Sequence, residues 1–99
     1  MQKLSEAEIA EALATLPGWG RDGVGISKAF ECPSFAALIA GVVRLAFEAE
    51  AANHHPDLSI SYRRVVVTYS THDEGALTRL DVDGARAAER IFSNVDSVS

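Results

Sequence analysis

The residues of this 99-residue chain best able to do chemistry are its three histidines, His54, His55 and His72. Imidazole is the side chain that gives and takes a proton near neutral pH without special tuning. Two of the three are adjacent, in the stretch Glu50-Ala51-Ala52-Asn53-His54-His55-Pro56. Glu50 stands four residues before His54, which puts carboxylate and ring on one helical face if the helix persists through that turn. A carboxylate there would orient the ring and pair with its imidazolium, and a helix C-terminus adds negative potential. That is how a general acid is poised. His72 follows Val65 to Thr71, a stretch that a hairpin would return to the same helix end. Plainer roles exist for each residue. His-His-Pro can cap a helix, His72 can be a solvated loop residue, and Asp81, three residues after Thr78, has the spacing of a capping-box acid. Three histidines with nearby carboxylates can also bind zinc. There is no His-Glu-x-x-His spacing and no second cysteine beside Cys32, and adjacent histidines diverge on a regular helix, so no metal is expected.

The elements that must position these groups follow from periodicity. Leu4 to Leu16 reads as a helix: Ser5 and Glu8 form a capping box, Leu4 and Ile9 a hydrophobic staple, and Pro17-Gly18 a stop. Ile9, Leu13 and Leu16 mark its buried face. Trp19 to Phe30 reads as two short strands turning at Gly23-Val24-Gly25, the second carrying Ile26, Lys28 and Phe30. Pro33-Ser34 opens the longest helix, with Phe35, Leu38, Ile39, Val42, Ala46 and Ala49 as its inward stripe, ending near Asn53. A hairpin follows, Leu58 to Tyr62 and Val65 to Thr71, with its turn at Arg63-Arg64; Val65-Val66-Val67 is too β-branched for a helix. Thr78 to Val95 closes the chain as a helix with Ala85, Ala88, Phe92 and Val95 inward. The order α-β-β-α-β-β-α predicts an α+β two-layer domain, a four-stranded antiparallel sheet with three helices on one face.

Composition narrows the setting. Ninety-nine residues, 47% of them hydrophobic, make one domain over 1–99. The net charge of −5, with no basic cluster beyond Arg63-Arg64, argues against a nucleic-acid partner. Met1 to Glu6 lacks a signal peptide's apolar run, and no stretch approaches the roughly 18 apolar residues of a membrane span. A soluble, cytoplasmic protein is expected. Cys32 reads as a small buried hydrophobe. A domain this small, with valines on both sides of its Val65 to Thr71 strand, is expected to bury more surface as a homo-oligomer assembled through the sheet.

Taken in order, Glu50-Ala51-Ala52-Asn53-His54-His55-Pro56, Tyr62, His72 and Asp81 resemble the signature of the pterin-4a-carbinolamine dehydratase family in type and spacing. Gly18-Trp19, Phe30, Phe35, Ser70-Thr71-His72 and Gly75-Ala76-Leu77-Thr78 agree with it, so the resemblance spans nearly the whole chain. Two positions depart: Leu58 stands where the family often has Trp, and Gly75-Ala76 where it usually has Gly-Gly. The resemblance implies dehydration of 4a-hydroxytetrahydropterin, the spent cofactor of an aromatic amino-acid hydroxylase, to quinonoid dihydropterin. It implies His54 and His72 as the acid–base pair in either order, His55 contacting the substrate hydroxyl, Glu50 tuning His54, and Asp81 as an acid near the pocket. No cofactor or metal is implied, and a homodimer or homotetramer is. The family also resembles a dimerisation cofactor of a homeodomain transcription factor, which would make the chain an interaction module or coactivator.

Overall fold

The computed structural model describes residues 2–98, with side chains over residues 2–93. Ser5 opens α1 (Glu6–Ala14) with the reciprocal capping box its sequence predicts: its side chain accepts from the Glu8 N–H, and its own N–H donates to Glu8 Oε1 at 2.7 Å. The helix stops at Ala14, short of Leu16, because Thr15 leaves helical geometry and turns its hydroxyl onto the Ala12 carbonyl. Leu16 is nonetheless buried, beside Ile9 in the core.

Strands β1 (Gly20–Asp22) and β2 (Gly25–Glu31) form the first hairpin, with Gly23 at a positive φ of 60° in the turn. The second hairpin pairs β3 (Asp57–Ser61) with β4 (Arg64–Tyr69). Its turn lies one residue earlier than expected, with Tyr62 in the left-handed region and Arg64 already in the strand. All pairings are antiparallel in the order β1-β2-β4-β3, so β4 is central and β3 is an edge.

The helices α2 (Phe35–Ala52) and α3 (Arg79–Val98) pack on the face that carries Ile26, Phe30, Val65, Val67 and Tyr69, all buried. This is the expected α+β architecture. The inward row of α2 is Leu38, Gly41, Leu45 and Ala49, with Ile39 and Val42 half-buried. Ala46, predicted inside, is exposed because one residue on from Leu45 lies about 100° round the helix. Phe35 is 49% exposed, at the helix's first residue. The opposite side of α2 leaves Val43 and Phe47 in solvent. On α3, Ala85, Ala88 and Phe92 are buried as predicted; the Val95 side chain lies outside the described residues. An aromatic cluster ties the layers together, with Phe30 stacked on Phe92 at 4.9 Å between centroids and Trp19 edge-on to Phe30 at 6.1 Å.

Candidate active site

The end of α2 decides where the histidines go. Asn53 adopts a left-handed conformation, φ 51° and ψ 43°, which Asn tolerates better than most residues. The His54 N–H then donates to the Ala49 carbonyl at 3.1 Å and the Asn53 N–H to the Glu50 carbonyl at 3.2 Å. This is a Schellman closure, with Asn53 in the position that usually goes to glycine. Beyond it the chain no longer follows the helix. Glu50 therefore does not reach His54, contrary to the four-residue spacing argument, which held only if the last turn continued. Glu50 Oε2 lies 2.5 Å from Nε2 of His55 instead, in an exposed pair.

His54 turns inward to α3. Its Nε2 lies 2.6 Å from Oδ1 of Asp81, a carboxylate with no solvent exposure, while the His54 side chain itself is 11% exposed. Asp81 is held from its other side. Its Oδ2 accepts from the Thr78 N–H at 2.9 Å and from the Thr71 hydroxyl at 2.7 Å. The Thr71 and Thr78 hydroxyls lie 2.8 Å apart, and Thr78 Oγ1 accepts from the Leu80 N–H. Asp81 thus does serve as the acid of an N-terminal capping arrangement, as the Thr78 spacing predicts. The same side chain is also the histidine's partner.

A carboxylate only accepts hydrogen bonds, so the proton in the His54–Asp81 contact sits on Nε2. That leaves Nδ1 as the ring atom free to exchange a proton. It is the division of labour by which a buried carboxylate fixes the tautomer and orientation of a catalytic imidazole.

His54, His55 and His72 line one open depression of about 280 Å³ together with Asn53, Ser70, Thr71, Asp73 and Leu80. The hairpin does return His72 to the helix end. It is exposed, in the turn after β4, and its side chain makes no hydrogen bond among the described residues. On the far side of His54 a second cavity of about 160 Å³ opens between α2 and α3, bordered by Tyr69, Gly84 and the Glu48–Arg90 ion pair. Burial first, and then the charges of Asp81 and Glu48, push the Tyr69 phenol up to about 12, so it keeps its proton at any ordinary pH. Among the described residues no three His, Cys, Asp or Glu side chains converge as a metal site would require.

The sequence matches the family described as "Pterin 4 alpha carbinolamine dehydratase" over residues 2–91. This chain belongs to that family. A Roseiflexus sp. (strain RS-1) protein that carries the pterin-4-alpha-carbinolamine dehydratase name provisionally is 51% identical over 90 residues, covering 91% of this chain and 97% of its own length. One from Chloroflexus aurantiacus (strain ATCC 29366 / DSM 635 / J-10-fl), named in the same way, is 48% identical over 92 residues, 93% of this chain and 99% of its own. The crystal structure of a "transcriptional coactivator/pterin dehydratase" from Brucella melitensis superposes with a TM-score of 0.89 at 34% identity, covering 92% of this chain and 99% of that one.

Within this pterin 4 alpha carbinolamine dehydratase fold, the departures at Ala76 and Leu58 are accommodated. Gly75 takes the positive φ of 61°, and Ala76 has an ordinary backbone. Leu58 lies on the edge strand β3, 38% exposed, and Tyr62 projects into solvent at the hairpin turn. Neither borders the histidine depression.

Two residues of the site escaped the sequence reading as participants, Thr71 and Tyr69. The signal that finds them is the two-residue period of β4, which puts Val65, Val67, Tyr69 and, one step past the strand, Thr71 on the face turned to the helices.

Proposed function

We propose that this protein dehydrates 4a-hydroxytetrahydropterin to quinonoid dihydropterin. The supporting observation is His54, fixed at Nε2 by the buried Asp81, on one depression with His55 and His72. The reaction takes a proton from a ring nitrogen and breaks the adjacent C–O bond as the C=N bond forms. Hydroxide leaves well only when protonated, so one imidazolium delivers a proton to it and one neutral imidazole takes the nitrogen's proton. His54, through Nδ1, and His72 fill these two roles, and His55, held by Glu50, contacts the hydroxyl. General acid–base help of this kind contributes about 10²–10⁴-fold. In the cell the substrate would come from an aromatic amino-acid hydroxylase, and a reductase would consume the product. Mixing the protein with enzymatically generated carbinolamine and following the absorbance change of dehydration tests the reading; a rate no faster than the spontaneous one refutes it.

Proton transfer between the histidines and the substrate accounts for every step of this proposal, so dehydration is expected to continue undiminished after exhaustive chelation. Loss of activity on chelation with recovery on adding zinc would overturn this mechanism.

Assembly is part of the same proposal. The edge strand β3 exposes Leu58 and Ile60, 38% and 41%, and has unpaired backbone groups along its outer side. Pairing two such edges about a two-fold axis would satisfy both. Light scattering at micromolar concentration should give at least a dimer, and an active monomer would disprove it. The coactivator half of the Brucella protein's name supports a second reading, an interaction module that needs no turnover. The histidine–carboxylate pairs favour the enzyme.

A further inference from the structure

A single hydrogen bond fixes a point and not a plane. Asp81 Oδ1 holds Nε2 of His54, but the imidazole would still be free to twist about that contact, carrying Nδ1 with it. Tyr69 stands beside the ring. Its ring lies against the His54 ring at 5.9 Å between centroids, with only 21° between the planes.

Tyr69 is itself wedged. Trp19 lies 6.4 Å away between centroids, and the edge of the ring enters a notch in α3 at Gly84. A Cβ built at Gly84 would come within 2.4 Å of Tyr69 Cε1 and 2.6 Å of Cζ, distances that real atoms do not tolerate. The residue is buried, 2% exposed, and borders the cavity between α2 and α3.

We propose that Tyr69 is a positioning residue, one that sets the plane of the His54 imidazole, and that Gly84 is bare so that the tyrosine ring can reach that position. One strand end then supplies three parts of the site at alternate and adjacent positions: Tyr69 against the face of His54, Thr71 on Asp81, and His72 in the depression. The kinetic consequence rests on the dehydratase reading; the structural one does not.

The test uses the full chain, with two readouts. Tyr69→Leu keeps an apolar side chain but removes the flat face, and should lower kcat about tenfold or more with KM changed by less than about twofold, as expected when a reacting group is misaligned and binding is not. The ring-proton NMR signals of His54, assigned by their loss in His54→Gln, should move away from the field of the lost aromatic ring. Tyr69→Phe restores the face and should rescue both kcat and the His54 signals. Gly84→Ala, which drives the tyrosine out of its notch, should reproduce the defect. In the double variant Tyr69→Leu/Gly84→Ala the added methyl fills the vacated notch, so thermal stability should recover while kcat and the His54 signals do not. Recovery of kcat together with stability would mean that Tyr69 merely supports the fold, and His54 signals unchanged in Tyr69→Leu would overturn the proposal outright. A wild-type protein with no dehydratase activity would refute the functional reading alone, since the His54 signals still report on the ring.

Discussion

His54→Ala and His72→Ala are each expected to lower the turnover of the proposed carbinolamine dehydration by about 10²-fold or more, the effect of losing a general acid or base. The two rings line one depression, so either can take over part of the other's task when its partner is missing, and the double variant is expected to fall below both single ones. His55→Ala behaves differently. Its ring is half in solvent and paired with an exposed Glu50, suited to contact with substrate, so KM is expected to rise more than kcat falls. Steady-state kinetics on the three variants separates these outcomes. Near wild-type turnover in both His54→Ala and His72→Ala would remove the histidines from the mechanism.

Asp81→Asn is expected to produce the second large effect, through the tautomer of His54. Two donors, the Thr78 N–H and the Thr71 hydroxyl, converge on Oδ2, and an asparagine would satisfy them by placing its carbonyl there. Its amide NH2 then faces Nε2 of His54, which must become an acceptor, and the imidazole proton moves to Nδ1. Nδ1 can no longer take a proton, and kcat is expected to fall by roughly 10²–10⁴-fold with the fold preserved. Asp81→Ala adds a stability loss of about 1–3 kcal/mol for each buried donor left without an acceptor. Thermal denaturation beside kinetics distinguishes the two. An Asp81→Asn protein with full activity would reduce Asp81 to a helix cap.

Asp81 marks where the sequence can be read and where it cannot. Local patterns were legible because their partners are three or four residues apart: Ser5 with Glu8 at the first helix, and Thr78 with Asp81 at the last. The two hairpins and the three helices followed from the same short-range periods. Partners across the fold were not legible. His54 and Asp81 are 27 residues apart, and their meeting depends on one left-handed residue at position 53, which reverses the assignment of Glu50 from His54 to His55. Residue types alone mark the stripe of α2, and they cannot tell Ala46, in solvent, from Ala49, against the core. Likewise Gly84 looks like a weak point in a helix until the Tyr69 ring is seen to occupy the space a Cβ would need.

The left-handed residue at the end of α2 also governs how this stretch can change in length. One residue inserted or deleted between Ala49 and Asn53 would turn the chain's exit by about 100° and shift it by about 1.5 Å along the helix axis. His54 would then leave α2 pointing away from Asp81, and no side-chain substitution nearby could bring it back. The hairpin tip at Tyr62 and Arg63 is under no such constraint, being exposed and bordering neither cavity beside His54. Length variation among proteins of this fold should therefore collect at that tip and at the chain ends, while the five residues from Glu50 to His54 stay ungapped: a ruler five residues long, with its zero at the Schellman closure.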